Sequence, residues 1–323
     1  MSQMITAKSA RRAAQYVFAA SCVYTGWQFM RFLEWTANPQ AAFVPRPAGV
    51  EAFLPIAALM GLKNLVLTGS YDPVHPAGLT ILLAAMACSF LFRKSFCGFV
   101  CPVGLVSDLV GEAGKRLKLG RSAPKLADRL AGAVKYLLLG FFLVSIGVLM
   151  DPASTRQFMT SAYNITADAH LLKLFLHPSG TFLTVLGVLI AAGLFVRNAW
   201  CRWLCPYGAL LGLLGRVGPC SVKRDDETCD GCGRCRRACP MDIAPGDAAR
   251  STQCVACGQC VDACPRKETL SLRVLNRPVS RFAGLVGGVG LFGAVCVSAM
   301  ALGGWESGLP VSMLRSLYAS VMR

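Results

Sequence analysis

The run Cys229-Asp-Gly-Cys232-Gly-Arg-Cys235-Arg-Arg-Ala-Cys239-Pro240 recurs 25 residues later as Cys254-Val-Ala-Cys257-Gly-Gln-Cys260-Val-Asp-Ala-Cys264-Pro265. Both read C-x2-C-x2-C-x3-C-P, a spacing that holds cubane [4Fe–4S] clusters. Three cysteines in a tight, glycine-containing loop reach three corners of one cubane. The fourth is carried away from that loop, followed by proline, and points to the other cluster. The spacing therefore predicts two crossed ligand sets: Cys229, Cys232, Cys235 and Cys264 for one cluster, and Cys254, Cys257, Cys260 and Cys239 for its neighbour. A zinc site needs only four ligands per ion and leaves the duplicated Cys-Pro unexplained. A disulfide scaffold is also excluded. It scatters cysteines through a short secreted chain, whereas eight of the 16 here fall within 36 residues.

Around this module the 323-residue chain is 54% hydrophobic and only 15% charged. Soluble domains carry about 25% charged residues, and a mean hydropathy of +0.50 points to lipid. Apolar runs lie at about 14–32, 77–92, 133–150, 181–196 and 282–304, each near the length that crosses about 30 Å of hydrocarbon. The first lacks a small-residue cleavage site and is expected to stay as an anchor. A sixth stretch, Phe53 to Leu62, is interrupted by Pro55 and Lys63 and reads as a re-entrant or interfacial helix. The expected fold is an α-helical integral membrane protein of about five spans, with an inserted α+β module for two [4Fe–4S] clusters. Its domains are a membrane part over 1–219, the cluster module over 220–280, and a fifth span with an outer tail over 281–323.

The net charge of +16 is explained by topology, and no nucleic-acid partner is expected. With the N-terminus inside, residues 1–13, 93–132 and 197–281 are cytoplasmic. Together with Lys135, they hold 26 of the 33 Lys and Arg, as the positive-inside rule requires. Trp27, Trp35 and Trp305 near outer ends, and Trp200 and Trp203 near an inner end, fit an interfacial belt. Gly284 and Gly288 form a small-residue face for close helix packing. Each oxidised cluster with its thiolates carries a formal charge of about −2, bringing the total to roughly +12. Arg234, Arg236, Arg237 and Arg266 offset that local charge.

The membrane part repeats itself. His75-Pro-Ala-Gly78, an apolar span and Arg93-Lys-Ser-Phe-Cys97-Gly-Phe-Val-Cys101-Pro-Val-Gly104 are matched by a second series. That series is His177-Pro-Ser-Gly180, another span and Arg197-Asn-Ala-Trp-Cys201-Arg-Trp-Leu-Cys205-Pro-Tyr-Gly208. The Cys-x3-Cys-Pro turns are 104 residues apart and the His-Pro starts 102. Both spans run the same way, so the repeat is expected to be parallel. It would bring Cys97, Cys101, Cys201 and Cys205 together at the cytoplasmic face, as a candidate third metal centre or redox site. The bland alternative is two turns that end helices and keep free thiols. His75 and His177 are candidates for a quinol site or for metal ligation, against a reading as polar helix starts followed by proline.

These features resemble the ferredoxin-type membrane proteins of the NapH and MauN kind, related to the membrane halves of nitrous-oxide-reductase regulators. The resemblance rests on the paired Cys-Pro turns, the Arg46-Pro-Ala-Gly-Val-Glu-Ala-Phe-Leu-Pro55 stretch, the His75 start and the doubled cysteine run. It covers about residues 45 to 275. It implies electron transfer at the bacterial inner membrane, from quinol or a cytoplasmic donor towards a partner redox protein. The fifth span and outer tail depart from shorter members. A metal reductase or a maturation factor for a metalloenzyme is the alternative use of the same clusters. No CxxCH haem site is present. Topology reporters fused after Cys101 and within 220–280 are expected to read cytoplasmic, and one after residue 160 periplasmic. A periplasmic signal from the module would reverse the orientation.

Overall fold

The computed structural model describes residues 6–38, 40–120, 123–249, 251–266 and 268–322. Residues 1–5, at the head of the expected cytoplasmic segment, lie outside this set. In chain order the helices are α1 (Ala7–Ala37), α2 (Pro55–Thr68), α3 (Pro76–Phe92), α4 (Pro102–Arg116), α5 (Lys125–Val144), α6 (Pro152–Met159), α7 (Ala162–Ile165), α8 (Ala167–Leu176), α9 (Gly180–Phe195) and α10 (Pro206–Val217). There follow β1 (Cys220–Arg224), α11 (Arg234–Ala238), α12 (Gln259–Ala263), β2 (Leu270–Val274), β3 (Arg277–Val279), α13 (Ala283–Ala301) and α14 (Val311–Met322). The fold is mainly helical, and among the described residues the strands are confined to the cysteine-rich module.

Among the described residues, two helical stretches are able to cross a membrane by length and composition, Leu126–Leu149 and Ala283–Ala301. A third qualifies if α8 and α9 count as one span, although they bend by 80° at their break. The five apolar runs thus do not all become full-length apolar helices. Helix α3 is apolar but has 17 residues, about 25 Å at 1.5 Å per residue. Helix α1 is 31 residues long, but Gln15, Gln28, Arg31 and Glu34 dilute its apolar run. The interrupted stretch after Phe53 becomes α2, with Pro55 in its first turn, where the missing N–H costs nothing.

The chain divides into two compact units. The first comprises residues 1–19, 85–140 and 186–293; the second comprises 20–84, 141–185 and 294–323. In the first unit β1, β2 and β3 form an antiparallel sheet in that order, with Val222 opposite Leu272 and Leu272 opposite Val279. Alternate residues Cys220, Val222, Leu270 and Leu272 turn inward and pack with Ala248 and Ala256. Cys220 therefore behaves as a small core residue. Helix α13 approaches the same unit on its glycine face. A Cβ on Gly284 would lie 2.2 Å from the Ala256 carbonyl oxygen, and one on Gly288 2.5 Å from Ser95 Oγ.

In the second unit Phe29, Phe32, Trp35, Val50, Ile165 and Leu314 surround the fully buried ring of Tyr318. The expected outer tail is thus partly a folded helix, α14, anchored in this core. Beside it lies a buried ion network. Arg46 Nη2 donates to Asp168 Oδ2 at 2.7 Å and Arg46 Nη1 to Glu51 Oε1 at 2.7 Å. The Tyr318 hydroxyl donates to Asp168 Oδ1 at 2.8 Å. Removing one partner of a buried pair strands the other's charge. Arg46→Met is therefore expected to destabilise this unit by about 3–5 kcal/mol, read as a fall in the thermal midpoint in detergent.

Candidate metal centres

The two cysteine runs fold alike because the same backbone positions turn the same way. Gly231 and Gly233 have φ of +70° and +67°, and their counterparts Ala256 and Gly258 have +49° and +70°. Glycine takes this left-handed region without strain. Each loop then enters a five-residue helix, α11 or α12, capped at its end by extended Cys239 or Cys264.

The cysteines surround two cavities. One is lined by Cys229, Cys232, Cys235 and Cys264, the other by Cys239, Cys254, Cys257 and Cys260. Each thus gathers three thiols from one run and the fourth from the other, a donor set that suits a [4Fe–4S] cubane. No group of three or more His, Cys, Asp or Glu among the described residues closes around a single metal ion. A cubane holds its thiolates farther apart than one ion does. Burial raises the Cys239 and Cys260 thiols above the ordinary range and Cys257 to about 12. A bound metal would favour the thiolate forms there.

The Cys-x3-Cys-Pro turns are also built alike. A π-helical turn spans Phe96–Val100 in the first and Trp200–Leu204 in the second. Cys101 and Cys205 follow in extended conformation, and Pro102 and Pro206 open α4 and α10. The four cysteines lie within electrostatic reach of one another, with Lys94 among them. Burial raises Cys97 well above the ordinary thiol range and Cys201 to about 12. The Cys205 sulfur accepts from the Gly208 amide at 3.3 Å.

Both turns grip the cluster module through its backbone. Arg93 Nε donates to the Cys220 carbonyl and Nη1 to that of Ser251, each at 2.8 Å. The Lys94 amide donates to the Cys254 carbonyl at 3.4 Å. In the second turn Arg197 Nη1 donates to the Cys239 carbonyl and Asn198 Nδ2 to that of Pro240, each at 3.0 Å. Gly98 lies so close to the module that an added Cβ would sit 3.0 Å from Val255 Cβ.

The two candidate histidines differ. His75 is buried, its Nε2 2.8 Å from the Asn164 carbonyl and its Nδ1 3.3 Å from Glu51 Oε1. Burial opposes charge on the ring, but the Glu51 carboxylate outweighs it and lifts the imidazole above its ordinary value. Burial likewise works against charge on Glu51, yet His75 and Arg46 hold its carboxyl below the usual range. His177 is exposed at the end of α8, and His170 stacks on Tyr163 at 5.3 Å. Sequence reasoning missed Glu51, Asp168 and Tyr318 as partners of this network. A charged residue in a mostly apolar stretch, such as Glu51, was the available signal.

A family model described as a 4Fe-4S binding domain matches residues 74–120 and again 178–224. One described as a 4Fe-4S dicluster domain matches 221–265. The chain is 37% identical over 322 residues to YccM of Escherichia coli, named as an electron transport protein, covering 95% of this chain and 89% of YccM. The chain belongs to the NapH/MauN-type polyferredoxin family. The methylamine utilization ferredoxin-type protein MauN of Paracoccus denitrificans is 31% identical over 168 residues, 51% of this chain and 54% of MauN. The ferredoxin-type protein NapH of Escherichia coli is 28% identical over 149 residues, 46% of this chain and 48% of NapH. The chain thus spans about half of MauN and NapH but most of YccM. No solved structure matches it. Membership of this polyferredoxin family makes the chain an iron–sulfur electron-transfer protein of the membrane.

The cavity grouping has a direct check. Cys264→Ala and Cys235→Ala are expected to remove the same cluster signal, with loss of about four iron atoms, while Cys239→Ala groups with Cys254→Ala. Spectra pairing Cys239 with Cys229 would contradict the crossed sets.

Proposed function

We propose that the chain is a five-span inner-membrane protein that passes electrons between quinol or a cytoplasmic donor and a partner redox protein. The observation that carries this reading is the grip of both Cys-Pro turns on the cluster loops, through the Cys254 and Cys239 carbonyls. Iron–sulfur clusters supply single-electron transfer, and the protein supplies spacing, burial and charge. The ligand sets are Cys229, Cys232, Cys235 and Cys264, and Cys254, Cys257, Cys260 and Cys239. Cys97, Cys101, Cys201 and Cys205 hold a third iron–sulfur centre. The description of the family model that matches both turns, a 4Fe-4S binding domain, supports this assignment.

Five spans are supported by the division of the chain. It passes from one compact unit to the other five times, inside α1, α3, α5, α9 and α13. The segments expected to be cytoplasmic all fall in the unit that holds the cluster module. His75, buried and held by Glu51, is the stronger candidate for a quinol or metal role; His177 remains its counterpart in the repeat.

The test is quinol-driven reduction of the clusters in purified protein. Cys97→Ser and Cys201→Ser are expected to slow it to similar extents and non-additively, because each removes a ligand of one unit. Iron in the ferredoxin module stays at about eight atoms. Normal reduction in both variants would return the turns to helix punctuation.

A further inference from the structure

Beside the Cys-Pro turns lie two lysines that form no ion pair with an acid among the described residues. Lys94 and Lys135 are 1% and 0% exposed. Lys135 Nζ has no hydrogen-bond partner and sits over the Tyr136 ring at 5.0 Å. Lys94 Nζ reaches a neutral amide, Gln253 Oε1, at 3.4 Å. Asp128, on the same helix as Lys135, is taken by Arg202 Nη2 at 2.6 Å and Trp203 Nε1 at 2.8 Å. Arg202 and Asp128 thus form a neutral pair and leave the lysines uncompensated.

The ammonium groups belong to the turns. A Cβ on Gly208 would lie 3.5 Å from Lys94 Nζ and 3.6 Å from Cys205 Cβ. Lys94 is within electrostatic reach of Cys97 and Cys201, and Lys135 of Cys205 and Lys94. Two amines that carry like charge when protonated are therefore buried together, an arrangement that favours the protonated forms only if an anion lies beside them. An ionisable residue within an apolar span marks a functional site by default, and Lys135 lies within the stretch Leu126–Leu149.

Four neutral thiols do not offset this charge. A cubane with four thiolates does, since it carries a formal charge of about −2 when oxidised and about −3 when reduced. A single ion bound by four thiolates has no set of donors close enough among the described residues. We propose that Lys94 and Lys135 are the counter-charges of an anionic iron–sulfur centre held by Cys97, Cys101, Cys201 and Cys205, and that they raise its reduction potential. The inference rests on the reading of the turns as a cluster site. Cations beside such a centre favour its more negative, reduced form, since net local charge is one of the terms that set cluster potential.

The experiment is a redox titration of the purified full-length protein, followed by electron paramagnetic resonance, with iron counted in parallel. Lys94→Met and Lys135→Met are each expected to lower the equilibrium constant for reducing the turn centre about tenfold, 59 mV for a one-electron couple. Both ferredoxin cluster signals stay in place, and Lys135→Arg keeps the potential close to that of the unmodified protein. Loss of the turn centre in Lys135→Met but not in Lys135→Arg also supports the role, because Arg keeps the positive charge that Met lacks. An unchanged potential in both Met variants, with the centre present, overturns it, as does an equal shift in Lys135→Arg. Iron at about eight atoms per chain with no third signal in the unmodified protein overturns the cluster reading of the turns itself.

Discussion

Two arginines at equivalent places in the repeat, Arg93 and Arg197, spend their guanidinium N–H groups on backbone carbonyls of the cluster module. The rest of the first unit is arranged around that clasp. A guanidinium presents its donors in a rigid fork, so carbonyls held by it are placed in direction as well as distance. The carbonyls are those of Cys220 and Ser251 on one side, and Cys239 on the other. The module is thereby held at the two segments that carry its ligands. Electron transfer between centres depends on fixed separation, and these contacts fix it with backbone groups that any module sequence supplies.

Charge is handled differently in the two units. In the second, a cluster of buried ions pairs internally: Arg46 lies between Glu51 and Asp168, and His75 faces Glu51. Such a network rigidifies its surroundings when fully satisfied. In the first unit Arg11 answers Asp108, which also accepts from Gln15 and Asn198, but Lys94 and Lys135 are in no ion pair among the described residues, the nearby Asp128 being paired with Arg202. Lys94 and Lys135 are instead buried beside the sulfurs of the Cys-Pro turns.

The histidine pair shows where repeat logic weakens. His75 and His177 occupy matching places in the sequence, yet one is buried against Glu51 and the other is exposed at a helix end. The buried environment comes from Glu51, Asn164 and Gly78, whose amide donates to Glu51 Oε2 at 3.0 Å. Periodicity in residues near a histidine does not report which distant segment closes over it. The apolar runs carry a related lesson. Hydropathy located the helices, but α8 and α9 break at 80° around His177-Pro178-Ser179, where a proline disfavours helix in the residue before it.

The doubled four-cysteine run, the two Cys-Pro turns and the clustering of basic residues were legible in the sequence because each depends on local spacing or composition. Cysteines two or three residues apart reach a common centre whatever lies elsewhere in the chain, and Pro102 and Pro206 open helices by their fixed φ alone. The same spacing already grouped Cys239 with Cys254, Cys257 and Cys260, but only the tertiary structure could dock Arg93 on Cys220 and Ser251. Lys135 read as a charge at the mouth of a span, and its burial beside Lys94 and Cys205 was invisible. The same limit hid the closure of Tyr318 on Asp168, 150 residues away in the chain. Burial and charge pairing are set by neighbours brought in from far along the chain, and a single sequence carries no direct record of which neighbours those are.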